Sequence, residues 1–125
     1  MKTISTSFIT IIVLLMAGAA LAHSPQAIGG FYDLGRQELN VTVQHLVTKP
    51  KEHFIDELII YKNGKEVIKK RFDFQTSHRN QTMPPFRIPA SVGDTFRVVA
   101  DCNRGGQFEA TVEVTDEAPD VRKLN

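Results

Sequence analysis

Three side chains in this sequence combine the donor chemistry and the placement of a metal site. His45 continues the alternation Leu39, Val41, Val43, so its imidazole leaves a strand on that strand's apolar face. Cys102 does the same after Phe96, Val98 and Ala100, at the end of another strand. His53 opens a strand after a loop that contains Pro50. Imidazole and thiolate suit iron, copper or zinc, and strand ends can hold such ligands at fixed angles. Ligands on one metal, at bonds of about 2.0–2.3 Å, must lie within about 4–6 Å of one another. Residue type alone leaves a second reading open, in which His45 is a hydrogen-bonded core histidine and Cys102 a small buried hydrophobe. His78 stands in the polar run 75–82 and reads as solvated.

The elements that must position these residues are strands. Leu39, Val41 and Val43 alternate with Asn40, Thr42 and Gln44, the pattern of a half-buried strand. In 54–62, Phe54, Leu58 and Ile60 fall on one side, and Ile55, Ile59 and Tyr61 on the other. Asn63-Gly64 follows, a strong hairpin signal because both central residues of a type I′ turn need positive φ. Residues 67–74 return, with Lys69, Lys70 and Arg71 as a charged edge that discourages further pairing. Pro84-Pro85 introduces a short edge segment at 86–88. Gly93-Asp94 turns the chain into 95–101, and Gly105-Gly106 turns it into a strand carrying Phe108, Ala110, Val112 and Val114. With 30–33 as a first strand, about seven strands and no helix predict an all-β, immunoglobulin-like β-sandwich.

The first 22 residues read differently. Met1 and Lys2 form a positive start, 8–16 is an apolar core interrupted by Thr10, and Ala20-Leu21-Ala22 is an A-x-A cleavage site. The apolar stretch falls short of the roughly 20 residues that a spanning helix needs. Residues 1–22 are therefore expected to be a signal peptide, cleaved after Ala22, which directs the protein to the periplasm or outside the cell. The mature chain would have no membrane span, a single domain over 23–114 and a polar tail over 115–125. Losing Lys2 brings the 15 basic residues level with the 14 acidic ones, which excludes nucleic-acid binding driven by bulk positive charge. One cysteine excludes an intrachain disulfide. No Gly-rich phosphate loop, nucleophile elbow or paired-carboxylate motif is present.

His45, the run Glu52-His53-Phe54-Ile55, Asn63-Gly64 and the run Cys102-Asn103-Arg104-Gly105-Gly106 resemble the iron domain of superoxide reductases. That family, neelaredoxin and the desulfoferrodoxin iron domain, carries a histidine followed by proline, then E-H-Y-I-x-W-I, and finally C-N-x-H-G. The resemblance covers most of the mature chain. It implies a seven-stranded immunoglobulin-like sandwich with one non-haem iron, held by four equatorial histidines and an axial cysteine thiolate. His45 and His53 match the two middle histidines, and Cys102 matches the axial thiolate. The pattern is degenerate: Gly105 stands where the fourth histidine belongs, Leu46 replaces the proline, and His45 and His53 are spaced more widely than in the family. His23 is the candidate for the family's N-terminal histidine; after cleavage it would carry a free α-amino group beside its imidazole. The implied activity is one-electron reduction of superoxide.

A second resemblance, over His53 to Val67 and Gly93-Asp94-Thr95, is to the Z subunit of the periplasmic thiosulfate-oxidising carrier complex. It implies a different class of function, a non-enzymatic module that binds a sulfur-carrier chain through its sheets, and it leaves Cys102 unexplained.

Overall fold

Leu39, Val41 and Val43 are buried, and so are Phe96, Val98 and Ala100, so the alternation in the sequence is the alternation between core and surface. In the computed structural model, which describes residues 25–117, eight strands form two antiparallel sheets packed as a β-sandwich, with no helix among the described residues. The expected signal peptide over 1–22, His23 and residues 118–125 of the expected tail lie outside the described residues.

One sheet is built from β1 (Ala27–Asp33), β2 (Glu38–Gln44), β5 (Asn80–Thr82) and β6 (Phe86–Arg87). β2 pairs with β1 on one side and with both β5 and β6 on the other. The second sheet runs β4 (Lys65–Arg71), β3 (Ile55–Lys62), β7 (Thr95–Cys102), β8 (Gln107–Glu113). Leu39, Val41 and Val43 from one sheet meet Leu58, Ile60, Phe96, Val98 and Ala100 from the other in one core. Fully burying each of the larger side chains is worth about 1.5–3 kcal/mol relative to leaving it in water.

The turns follow the sequence. Asn63 and Gly64 both have positive φ (49° and 83°) and close the β3–β4 hairpin with a two-residue loop. β4 is an edge strand with only Ile68 half-buried, and its Lys65, Lys69, Lys70 and Arg71 blunt that edge.

Two features differ from the sequence reading. β5 is an added strand inside the polar run; its backbone completes the β2 ladder and Gln81 is buried there, but the segment has no apolar alternation to announce it. The other is a change of phase at the start of β3. Ile55 pairs with Cys102 but Glu57 pairs with Asp101, so Asp56 is an extra, bulged residue. The bulge puts Ile55 on the core face with Leu58 and Ile60, all fully buried, and corrects the side on which strict alternation placed it.

The sheets approach most closely where β1 passes β8. A Cβ built on Gly30 lies 2.9 Å from Val112 Cγ2 and 3.3 Å from the Asn40 carbonyl oxygen. Val112 is β-branched and stiff, so it yields little. Gly30→Ala is expected to lower stability by about 1–3 kcal/mol, read as a lower denaturant midpoint, with part of the loss recovered in Gly30→Ala/Val112→Ala. Parent-like stability of the single variant would contradict this packing.

Candidate metal centre

The three candidate ligands come from elements that end on the same side of the sandwich. His45 directly follows β2, Cys102 ends β7, and His53 lies two residues before β3, whose first residue Ile55 pairs with Cys102. The His53 segment is a tight turn in which the N–H groups of Glu52 and His53 both donate to the Lys49 carbonyl, at 3.0 and 2.8 Å. Pro50 suits its place there, since a ring-fixed φ and a missing N–H cost nothing at the start of such a turn.

Asn103 joins this turn to the end of β7. Its Oδ1 accepts the Phe54 N–H (2.9 Å), its Nδ2 donates to the Glu52 carbonyl (2.9 Å), and its own N–H donates to the Phe54 carbonyl (3.0 Å). His53 is therefore bracketed by the residue next to Cys102. Its Nε2 lies 3.1 Å from the Cys102 Sγ. The β7–β8 turn completes the frame: Gly105 donates its N–H to the Cys102 carbonyl, Cys102 donates to the Gly106 carbonyl, and both glycines have positive φ. A histidine at Gly105 would have to adopt a φ of 96°, a conformation side chains with a Cβ rarely take.

His45 is held by Gln75, a contact the sequence did not announce. His45 is 1% exposed, and its ring Nδ1 lies 2.8 Å from Gln75 Oε1. Since that oxygen can only accept, Nδ1 carries the proton and the ring's lone pair sits on Nε2. Gln75 Nε2 in turn donates to the carbonyls of His45 (2.7 Å) and Ser77 (2.9 Å), and its backbone N–H donates to the Pro50 carbonyl (2.9 Å). One buried carboxamide thus fixes the His45 tautomer and ties β2's end to the His53 turn. Gln75 belongs to the run 75–82, whose polarity signals solvent and hides this role.

The imidazoles of His45 and His53 stand edge-on, 4.8 Å between ring centres at 86°, and one ligand atom from each of His45, His53 and Cys102 lies within 4.8 Å of the others. A group this close could hold a metal ion, and its donor set of two imidazoles and one thiolate suits a borderline to soft first-row metal. Burial pushes the Cys102 thiol above its ordinary range; the Arg104 backbone N–H opposes this, the Asp56 carboxylate adds to it, and the Arg104 charge opposes it. The group is then a neutral thiol at neutral pH, and a cation must displace its proton to be bound. Uptake of a metal here would release protons and strengthen as pH rises.

His78, read as solvated, is exposed, yet its Nδ1 donates to the Val47 carbonyl (3.2 Å) and its ring borders a cavity shared with His53. No helix among the described residues is long and apolar enough to cross a membrane. No family model, curated protein or solved structure matches the chain.

Gln75→Leu removes the acceptor that orients His45 without touching His53 or Cys102. Metal affinity, measured by competition with a chromophoric chelator, is expected to fall about 10- to 100-fold. Parent-like affinity would show that packing alone orients the ring.

Proposed function

We propose that this chain is an exported iron protein of the superoxide-reductase type, with His45, His53 and Cys102 as protein ligands. The convergence of two imidazoles and a thiol at one end of the sandwich carries the reading. Bound iron would supply one-electron chemistry: one electron and two protons turn superoxide into hydrogen peroxide as iron(II) becomes iron(III). The chain's own contribution is to hold the donors. Gln75 keeps the Nδ1 proton of His45 away from the centre, and Asn103 fixes His53 against Cys102. The Arg104 N–H, 3.4 Å from Sγ, stabilises the sulfur once it is a thiolate.

His23 belongs to this proposal as a further nitrogen donor. The Gln26 N–H donates to the Gln44 carbonyl and its Oε1 accepts the Leu46 N–H, so the chain enters the sheet at the end of β2 that His45 follows. This point of entry supports His23, once the leader is cleaved, as a donor through its α-amino and imidazole nitrogens. The binding-module reading draws no comparable support, because it gives the two imidazoles and the thiol no reason to converge.

The test is the visible spectrum of mature protein loaded anaerobically with iron and then oxidised. A thiolate-to-iron(III) charge-transfer band is expected in the parent and absent from Cys102→Ser, with circular dichroism unchanged because serine is nearly isosteric. No band in the parent, or the same band in the variant, would overturn thiolate-bound iron.

A further inference from the structure

The sheet β4-β3-β7-β8 covers the core with one face only. Leu58, Ile60, Phe96, Val98 and Ala100 turn inward, so the alternate residues of β3 and β7 stand on the outer face. There Ile59, Tyr61 and Val99 lie on adjacent strands, and none of them belongs to the core between the sheets. A solvated face of an antiparallel sheet ordinarily carries polar residues instead. Edge-to-edge growth of this sheet is discouraged at β4, a basic strand bulged at Val67 between the Ile60–Ile68 and Tyr61–Glu66 pairs.

The ladder sets the outer-face residues in rows across the strands. One row, from β4 to β8, is Lys69, Ile59, Val99, Glu109: a cation, two apolar side chains and an anion. The next is Glu66, Tyr61, Arg97, Thr111, with the Arg97 guanidinium 4.2 Å from the centre of the Tyr61 ring and 3.0 Å from Glu109. Lys69 and Glu109 are both exposed, and Lys69 makes no ion pair among the described residues. A row with a cation at one end and an anion at the other is complementary to its own reverse.

We propose that this face binds a second copy of the chain, about a two-fold axis that runs parallel to the strands between β3 and β7. Such an axis lays β4 of one copy over β8 of the other. Lys69 then meets the partner's Glu109 and Ile59 meets the partner's Val99, twice each. The apolar pairs fall at the centre of the contact and the ion pairs at its rim. An axis across the strands would instead lay β4 on β4 and set two basic strands against each other. In the row nearer Cys102, Glu57 meets the partner's Asp101, but each is already bonded within its own chain. Arg71 lies 3.5 Å from Glu57, and Gln107 Nε2 donates to Asp101 at 2.9 Å. Because the axis follows the strands, both copies present the ends that carry His45, His53 and Cys102 on the same side of the dimer. The contact uses none of those three residues, so it goes beyond the proposed iron chemistry and does not depend on it.

The test is sedimentation equilibrium of the mature protein at low salt, with a chelator present so that no metal bridges two copies. A dimer with a Kd on the order of 10–100 µM is expected, the weak class that one four-stranded face supports. Lys69→Glu and Glu109→Lys each turn both rim contacts into like-charge pairs, and each should weaken self-association about 10-fold. Mixing the two variants should restore association to within about 2-fold of the parent's, because the mixed dimer again has opposite charges at both contacts. Raising the salt concentration should narrow the gap between the parent and either single variant. A parent that stays monomeric at about 1 mM, or variants that associate as the parent does, would overturn the proposal. A mixture that associates no better than the separate variants would overturn it as well, since it excludes the pairing of β4 with the partner's β8.

Discussion

The pairing of the first residue of β3 with the last residue of β7 is the constraint on which the site depends. Ile55 faces Cys102 in the ladder, and the Asp56 bulge sets the phase in which β3 continues from there. With Ile55 turned into the core, the chain before it is committed to leave the sheet beside Cys102. Asn103 then closes the gap with three hydrogen bonds to Glu52 and Phe54, one on each side of His53. The 3.1 Å approach of His53 Nε2 to Sγ is the outcome of that bracket. The site is thus rigid through backbone pairing, which is how a small β-sandwich can hold ligands at fixed angles without a large core.

The third candidate ligand arrives from the other sheet and needs a different device. His45 is buried where an imidazole has little contact with solvent, and a polar group in such a place is costly without partners. Gln75 satisfies Nδ1 and the neighbouring carbonyls, and the Pro50 carbonyl holds Gln75 in turn. Both sheets are therefore locked together at this end by polar contacts, whereas the body of the sandwich is locked by apolar packing. Burial also raises the Cys102 thiol's pKa, so a metal bound there would have to displace its proton.

Much of this was legible in the sequence. The alternations ending in His45 and Cys102 placed both side chains on the core face, and Asn63-Gly64 marked its hairpin, because burial and positive φ leave direct traces in residue type. The phase change at Asp56 was hidden, since a bulge is one unpaired residue with no required side chain; strict alternation put Ile55 on the wrong face. Gln75 and β5 were hidden for a related reason. Polar side chains that bond inward look the same in sequence as those that face water, so the run 75–82 concealed the residue that orients His45 and the cavity wall at His78. Asn103 was visible only as part of the run after Cys102; its bonds across to Glu52 and Phe54 depend on a pairing between residues about 50 positions apart, which no local pattern reports.

In the proposed centre, one sulfur and at least two imidazole nitrogens share a metal at this end of the sandwich. X-ray absorption at the metal edge of the loaded mature protein tests it most directly. A sulfur scatterer at about 2.3 Å together with nitrogen scatterers at about 2.0–2.1 Å, and the outer-shell pattern of imidazole rings, is the expected result. A shell of light atoms alone, with neither sulfur nor imidazole scattering, would rule out this donor set.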